Sequence, residues 1–330
     1  MRVAVAGLGG ACIRGHLPAI AQLESERKTT LVGAADPDAH RRAIFVDRLP
    51  HLPVFASADD MLASVACDLL VVATEPGTHS GLVAVGIQRG LHVVCEKPLT
   101  VNRAQHELVA RTCAQRPDLA LIPVHQYRYS PQWVSIARWA RCAARLRLPY
   151  SLIVDIQRNG TDSHAVSGWR SDVATAGGML ADAGVHFLAL AWTINEQLEV
   201  LGGVRRWDDA GKERSTAIVR LGSGVLTMQV WSGAPTRRTH VELRLRSAAI
   251  TWCDQTASIG VGRRALLHRH VAALSDRRHV DALYVPLYRD LIKNLSHESW
   301  RMRRTSEALS VGDALVTLLE RTPIDAGVAA

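Results

Sequence analysis

The sequence predicts an α/β protein of two domains: a doubly wound parallel sheet, then an α+β domain with an open, mostly antiparallel sheet. Over residues 1–123, short apolar strands alternate with helices, as in βαβ units. From residue 198 to about 253, strands follow one another without intervening helices, as in antiparallel sheets. The length of 330 residues fits two domains of about 150 residues each. We therefore expect a first domain over residues 1–123 and a second over 124–330.

Each strand of the first domain is a short apolar run rich in β-branched residues, which is typical of a strand buried on both faces. The predicted strands cover residues 2–7, 30–35, 68–73, 91–95 and 119–123. The predicted helices run from a glycine-rich turn to about residue 26, then over about 37–48, 78–89 and 101–116. This arrangement is typical of a doubly wound nucleotide-binding domain.

The pattern changes after Pro123. Helices are predicted over 131–145, from the glycine pair at 177–178 to about 194, and at about 280–295 and 305–321. Strands are predicted at 150–158 and in five segments between 198 and 253, separated by turns that contain Gly, Asp, Ser and Pro. No flexible linker marks the boundary.

Composition excludes several classes of protein. The net charge is +8, but 35 of the 39 basic residues are arginines scattered along the chain, and no nucleic-acid-binding motif accompanies them. We therefore expect no nucleic-acid partner. No apolar stretch approaches the roughly 18–20 residues of a membrane span, and we expect no signal peptide, so the predicted location is the cytoplasm. The six cysteines form no Cys-x-x-Cys pair, so we expect free thiols and no metal site.

A glycine-rich turn follows the first strand and opens a helix, which is the context that a dinucleotide fingerprint requires. The glycine at Gly7 allows a tight turn, and Gly9 lets the backbone approach a pyrophosphate. Gly10 and Ala11 follow, where the helix N-terminus offers free N–H groups to an anion. Cys12 stands at the third fingerprint position, where its small apolar side chain still permits helix–strand packing. A simple tight turn is the alternative.

Asp36 ends the second predicted strand, where an acid can accept hydrogen bonds from a ribose diol and repel a 2′-phosphate. This position favours NAD over NADP. Asp36 could instead cap a helix that starts at Pro37, and Arg41 and Arg42 could hold a phosphate. The cofactor is therefore predicted as NAD, with NADP as the alternative.

Lys97 follows the fifth predicted strand in the sequence Glu96-Lys97-Pro98. The carboxyl ends of parallel strands face the ligand crevice, so this lysine is expected there. An ammonium group beside a positively charged nicotinamide is easier to deprotonate and can serve as general base or acid. A solvated surface lysine is the alternative.

Asp182 and His186 interrupt an otherwise apolar helix in the second domain. They are four residues apart and therefore share one helix face. Histidine can relay a proton near neutral pH, and a nearby carboxylate can orient it or bind a substrate hydroxyl. An ion pair on a solvated face is the alternative.

Several short motifs occur in an order that is typical of one family and span residues 1 to about 195. They are the turn at 7–12 with His16, Asp36, Thr74-x-Pro76-x-x-His79, Glu96-Lys97-Pro98, His125-x-Tyr127-Arg128-Tyr129-Ser130-Pro131, Trp169-Arg170, and Gly177-Gly178-x-Leu180-x-Asp182-x-Gly184-x-His186. On these residues the chain resembles the glucose–fructose oxidoreductase, inositol dehydrogenase and MocA-type (Gfo/Idh/MocA) oxidoreductases. It departs from them in Cys12 and in Gly77, where an asparagine often stands.

The resemblance implies an N-terminal Rossmann domain and a C-terminal domain that binds substrate and assembles homodimers or homotetramers through its sheet. It implies that Lys97 is the catalytic lysine and that Asp182 and His186 are the substrate-side pair, with His186 as proton donor or acceptor. The expected cofactor-binding residues are Gly7, Gly9, Gly10, Ala11, Cys12, Asp36, Thr74, Pro76, His79, Glu96, Trp169 and Arg170.

The function expected from the residues and the resemblance is NAD(P)-dependent hydride transfer to or from a hydroxyl or ketone carbon. The substrate would be a sugar, amino sugar or cyclitol, and imine reduction would suit the same groups. Arg128 and His164 are candidate pocket residues, each of which could equally be structural. The alternatives are an NAD-dependent glycoside hydrolase or lyase that oxidises its substrate transiently, and a non-catalytic dinucleotide-binding sensor.

Overall fold

The computed structural model describes residues 1–159, 176–246, 248–261, 264–271, 273, 276–322 and 324–325. The chain divides into two compact units. The first consists of Met1–Thr100, Ala104–Gln126 and Asp281–Leu309. The second consists of Val101–Arg103, Tyr127–Val280 and Ser310–Ala330. The first unit thus includes Asp281–Leu309 from far along the chain, and the domain bounds 1–123 and 124–330 stay a prediction.

A parallel sheet of six strands in the order β3-β2-β1-β4-β5-β6 forms the centre of the first unit, so the doubly wound fold is confirmed. The strands are β1 (Arg2–Ala6), β2 (Thr30–Ala35), β3 (Val54–Phe55), β4 (Leu69–Val72), β5 (His92–Cys95) and β6 (Leu121–Pro123). The helices are α1 (Leu17–Ser25), α2 (Ala39–Arg48), α3 (Ala58–Ser64), α4 (Pro76–Gln88) and α5 (Arg103–Gln115), and a π-helical turn, Cys12–His16, precedes α1. All four residues of β4 are buried, as expected of a strand covered on both faces.

Helix α2 begins two residues later than predicted. Its N-cap is Asp38, whose Oδ1 accepts hydrogen bonds from the backbone N–H groups of His40 (2.8 Å) and Arg41 (3.2 Å). The interpretation of Asp36 as the cap of a helix starting at Pro37 is therefore wrong.

The second unit contains a sheet of nine strands in the order β14-β13-β12-β11-β7-β10-β9-β8-β15. Its strands are β7 (Tyr150–Asn159), β8 (Glu199–Trp207), β9 (Glu213–Leu221), β10 (Gly224–Ala234), β11 (Arg238–Leu245), β12 (Ala248–Cys253), β13 (Thr256–Val261), β14 (Arg264–His270) and β15 (Ile324–Asp325). Among the strands that the structure describes in this sheet, the pairs β7–β10 and β8–β15 are parallel and the others antiparallel, so the predicted open, mostly antiparallel sheet is confirmed. Strands β13, β14 and β15 were not predicted.

Two helices pack on one face of this sheet, α6 (Pro131–Arg145) and α7 (Val185–Ile194). A π-helical turn, Leu180–Gly184, runs directly into α7. All ten residues of α7 are buried, which is expected of a helix that is apolar on every side. Trp133 of α6 contacts Phe187 of α7 with their rings 5.4 Å apart. This packing fixes the helix that carries His186.

The last helices are α8 (Arg277–Ala282), α9 (Tyr284–Asn294) and α10 (Glu298–Arg321). A buried ion-pair network fastens α9 and the start of α10 within the first unit. Arg304 donates to Glu307 Oε2 at 2.7 Å and to Asp290 Oδ2 at 2.6 Å, and Glu307 Oε1 lies 3.0 Å from His125 Nδ1. Among the helices that the structure describes, none has the length and apolarity needed to cross a membrane.

A second buried network surrounds Glu96, directly after β5. Its Oε1 accepts a hydrogen bond from Tyr284 Oη at 2.5 Å and lies 3.2 Å from His16 Nε2, and His16 Nδ1 lies 2.7 Å from Tyr288 Oη. With a proton on Nε2, His16 donates to Glu96, and its Nδ1 lies beside the Tyr288 hydroxyl, which can either donate or accept. Tyr284 approaches this closely because residue 15 is glycine: a Cβ there would lie 2.6 Å from the Tyr284 ring.

The network keeps Glu96 ionised although the residue is only 5% exposed. Burial alone raises the pKa of its carboxyl group, but the hydrogen bonds from His16 and Tyr284 and the charge of Lys97 outweigh burial and lower the pKa to about 2. The ordinary value is 4.5. Because the pKa is lower in the folded state, Glu96 stabilises the fold above pH 4.5, and this contribution is lost as the pH falls towards 2.

We therefore expect Glu96→Gln to destabilise the protein by a few kcal/mol at neutral pH and by progressively less below pH 4.5. The measurement is the free energy of unfolding in urea for parent and variant across this pH range. Glu107→Gln is the matched control, because Glu107 lies exposed on α5. A difference between parent and Glu96→Gln that did not change with pH would contradict the role given to the carboxylate.

Candidate active site

The glycine-rich turn connects β1 to the π-helical turn and α1. Gly7 has φ +97°, and a Cβ there would lie 2.6 Å from the carbonyl of Ala73, at the end of β4. Its N–H donates to Ala35 O at 2.8 Å. Only glycine fits this close approach between two strand ends, as the fingerprint requires.

At Gly9 the backbone faces open space. A Cβ added at Gly9 would meet no atom within 4 Å, so a ligand could approach the backbone there. Gly10 and Ala11 lead into the helical turn, and Cys12 is completely buried. Burial raises the pKa of the Cys12 thiol, so this cysteine acts as a small apolar packing residue. Helix N–H groups and open space together fit a pyrophosphate.

Asp36 links the end of β2 to this turn. Its side chain is buried, and Oδ2 accepts a hydrogen bond from the Leu8 N–H at 2.8 Å while Oδ1 accepts from the Asp38 N–H at 2.9 Å. Arg41 Nη1 lies 3.6 Å from Oδ2 and its side chain is half exposed, whereas Arg42 donates to the carbonyl oxygens of Asp36 and Pro37. The carboxylate is thus fixed beside the glycine turn, where a ribose diol would meet it.

His79 connects the loops that follow β4 and β5. Its Nδ1 lies 2.9 Å from Pro98 O and its Nε2 lies 3.2 Å from Thr74 O. His79 is fully buried, and burial lowers the pKa of its imidazole. Thr78 Oγ1 donates to Thr74 Oγ1, and Pro76 occupies the first position of α4, where it needs no N–H partner. Both loops that flank the predicted crevice are therefore held by one histidine.

Lys97 lies half-buried at the carboxyl end of β5, the edge of the sheet where the sequence placed it. Its backbone N–H donates to Glu96 Oε2 at 3.1 Å, and the peptide bond to Pro98 is cis. The Glu96 network therefore fixes the backbone from which the lysine side chain extends.

In the second unit, Asp182 lies in the π-helical turn and His186 at the start of α7. Asp182 is half-buried and His186 is 3% exposed. The imidazole of His186 stacks on the ring of Tyr127 with 3.9 Å between centroids and an angle of 9° between planes. The alternative of an ion pair on a solvated face is therefore wrong for the histidine, because this ring is packed inside the unit.

The remaining predicted residues divide into two groups. Arg128 is half-buried, with its guanidinium carbon 5.9 Å from the centre of the Tyr129 ring. His164, Trp169 and Arg170 lie outside the described residues. Within the described ranges, no group of three or more His, Cys, Asp or Glu side chains could hold a metal ion.

The sequence analysis missed the residues that position the predicted site residues through hydrogen bonds and ring stacking. Tyr284 and Tyr288, four apart on α9, reach His16 and Glu96 across more than 180 residues of sequence. Their spacing was a usable signal for a shared helix face but gave no indication of its partner. Tyr127 belongs to the quoted motif around Arg128, yet nothing local indicated that it stacks on His186.

Comparison with known families gives one match over the first unit. Residues 1–122 match the family GFO_IDH_MocA, described as "Oxidoreductase family, NAD-binding Rossmann fold". The matched residues include the glycine turn, Asp36, His79 and Lys97.

Curated relatives cover the chain in part. A D-xylose 1-dehydrogenase (NADP(+)) from Haloferax volcanii is 25% identical over 193 residues, which are 58% of this chain and 56% of the relative. An inositol 2-dehydrogenase from Acidiphilium cryptum is 35% identical over 104 residues, 32% of this chain and 30% of the relative. The chain thus spans about half or less of the length of these relatives.

Solved structures resemble the chain over nearly its whole length. KijD10, a 3-ketoreductase from Actinomadura kijaniata in complex with NADP and TDP-benzene, superposes with a TM-score of 0.77 at 18% identity and covers 98% of both chains. An oxidoreductase from Agrobacterium radiobacter in complex with NAD+, L-tartaric acid and magnesium gives a TM-score of 0.79 at 14% identity, covering 97% of this chain and 96% of that one. At these identities the likeness concerns the fold. The family match covers residues 1–122 of the 330 and likens this part of the chain to the Gfo/Idh/MocA oxidoreductases and their NAD-binding Rossmann fold.

Proposed function

We propose that this protein is an NAD(P)-dependent oxidoreductase that transfers a hydride between the nicotinamide and a hydroxyl or ketone carbon of a sugar, amino sugar or cyclitol. The observation that carries the proposal is the buried Asp36 carboxylate, held on the Leu8 N–H beside the open backbone at Gly9. The names of the D-xylose and inositol dehydrogenase relatives support the substrate class.

The chain itself would supply the proton transfer. When bound, the nicotinamide accepts or gives the hydride. In alcohol oxidation, the C–H bond of the carbinol carbon would break as its hydride leaves, the O–H bond would break as its proton passes to Lys97 or His186, and a C=O bond would form; ketone reduction would run in reverse. Asp182 would orient a substrate hydroxyl or the histidine. The glycine turn, Thr74, Pro76, His79 and Glu96 would bind the cofactor or shape its site.

The cofactor preference would depend on the charge at the end of β2. Asp36 would accept hydrogen bonds from the ribose diol and repel a 2′-phosphate, which favours NAD. Arg41, half exposed beside it, is the group that would bind a 2′-phosphate if NADP were used.

The small-molecule substrate would be the only ligand besides the cofactor, and the partner would be a second copy of the chain. Apolar side chains remain exposed on the outer face of the second unit's sheet, including Val204 (47% exposed) and Ile218 (37%). They support assembly of a homodimer or homotetramer through this sheet.

We expect Lys97→Ala to lower kcat by at least about 100-fold, because a group that moves a proton contributes that much or more. The Kd for NADH should change less than about twofold. Turnover is measured with D-xylose, D-glucose 6-phosphate and myo-inositol and either cofactor, and binding by nicotinamide fluorescence. Lys28→Ala is the control, since Lys28 is a largely exposed lysine paired with Glu26 in the same unit. Unchanged turnover in Lys97→Ala would remove the lysine from the reaction.

A second expected result concerns cofactor choice. Asp36→Asn keeps an oxygen for the Leu8 N–H but removes the charge, so it should weaken NADH binding and strengthen NADPH binding, each by about tenfold. Fluorescence titration with each cofactor gives the ratio of the two dissociation constants. Asp59→Asn, an exposed acid on α3, is the control and should leave the ratio of the two dissociation constants unchanged. If Asp36→Asn weakened NADH and NADPH binding equally, Asp36 would serve only to stabilise the glycine-rich turn.

A further inference from the structure

We propose that Glu213 and Arg205 form a clamp on the first turn of the helix that carries Asp182 and His186, and that both are positioning residues for proton transfer. The clamp consists of these two side chains together with the backbone of Gly177, Gly178 and Met179. Its catalytic importance rests on the function proposed above for His186. The clamp itself rests on contacts within the second unit.

Glu213 caps the helix from a neighbouring strand. It is the first residue of β9 and is 2% exposed. Its Oε2 accepts a hydrogen bond from the Met179 N–H at 2.5 Å, and its Oε1 accepts from the Leu180 N–H at 3.3 Å and from Ser215 Oγ at 2.5 Å. The first N–H groups of a helix have no partner within the helix, and a carboxylate there also meets the positive end of its dipole.

Arg205 closes the clamp from the other side. It lies on β8, 4% exposed, with Nε 3.7 Å from Glu213 Oε1. It also donates from Nη2 to the carbonyl oxygen of Gly177 at 2.6 Å. Burial lowers the pKa of its guanidinium, which the charge of Glu213 opposes. A buried charge of this kind is tolerated only with such partners, so removing either member leaves the other unpaired in the interior.

The glycine pair makes room for the clamp. Gly177 and Gly178 have φ values of +72° and +77°, which favour glycine. A Cβ at Gly178 would collide with the Glu213 carboxylate and lie 2.8 Å from Arg205 Nη2. From the sequence, these glycines indicated only the start of a helix. In the structure, they allow two charged side chains to reach the backbone at that start.

The clamp lies one turn before Asp182 and two turns before His186. Without the carboxylate, the Met179 and Leu180 N–H groups lose their acceptor, and the first turn is free to unwind or shift. An error of about 1 Å in the position of a reacting group can cost about 100-fold in rate. We therefore expect loss of the clamp to affect turnover more than cofactor binding, because the glycine turn and Asp36 belong to the other unit.

The first experiment is hydrogen–deuterium exchange on the full chain with Glu213→Gln, which keeps one oxygen but removes the charge. Amides in peptides covering residues 179–186 should exchange at least tenfold faster than in the parent, while peptides from α6 and from the first unit should not change. Glu199→Gln is the matched control, because Glu199 is an exposed acid on the adjacent β8, paired with Arg220. Unchanged exchange over 179–186 would overturn the clamp.

The second experiment measures turnover and NADH binding of the same variants. Glu213→Gln should lower kcat by about 10- to 100-fold with the Kd for NADH unchanged. Gly178→Ala should do the same, and the double variant should be no worse than the poorer single one, since both changes break one contact. Faster exchange with unchanged kcat would overturn the positioning role and leave a structural clamp.

One further variant and the substrate-free exchange measurement keep the outcomes separate. Ser215→Ala removes only one hydrogen bond from Glu213, so exchange over residues 179–186 and kcat should lie between those of the parent and Glu213→Gln. If Glu213→Gln does not fold, Ser215→Ala tests the clamp in its place. The exchange experiment needs no substrate. A parent protein that turned over no sugar or cyclitol would therefore count against the proposed function. The clamp would still be tested by the exchange rates over residues 179–186.

Discussion

The buried carboxylate of Glu96 is the interaction on which the first unit depends. An ionised group with 5% exposure is stable only when hydrogen-bond donors surround it. The donors here come from three segments far apart in the chain: the turn before α1, the backbone of Lys97, and α9. Because none of them can be displaced without leaving the charge unsatisfied, the first helix, the loop after β5 and a late helix are fixed together.

The second unit contains a comparable arrangement. There the buried carboxylate of Glu213 binds the backbone N–H groups of the segment that leads to Asp182 and His186. In both units, a carboxylate accepts from the backbone of the segment that carries a proposed proton-transfer group, and a basic or phenolic side chain contacts the carboxylate. Backbone N–H groups are suitable partners because they cannot rotate away as side-chain donors can. Each unit thus positions a side chain by fixing the main chain that carries it.

Much of the fold could be predicted because its signals are local. The apolar runs of β1, β2, β4 and β5 and the helical stretch of α6 can be read within about ten residues of sequence, and their bounds agree with the structure to within one or two residues. Strand β3 is only two residues long and gives no period to detect. The β13–β14 hairpin was missed because its strands are only half-buried or exposed and carry a weak alternation.

The candidate site divides in the same way. Gly7, Asp36 and Lys97 could be proposed because each stands at the end of a predicted strand, where position alone indicates a crevice. Tyr284, Arg205 and Glu213 were not, because their importance lies in a partner that is distant in sequence. The role of a buried charge is defined by the groups that satisfy it, and one sequence does not show which groups these are.

The division of the chain also bears on how the protein is made. The first unit contains Asp281–Leu309, so Glu96 receives its Tyr284 partner only after most of the chain has been synthesised. A nascent chain emerges from its N-terminus, and a contiguous domain can fold before the rest follows. This unit cannot be completed in that way. Its Glu96 network closes only once α9 has been synthesised, and the second unit is not contiguous either, because its segment Ser310–Ala330 follows Asp281–Leu309.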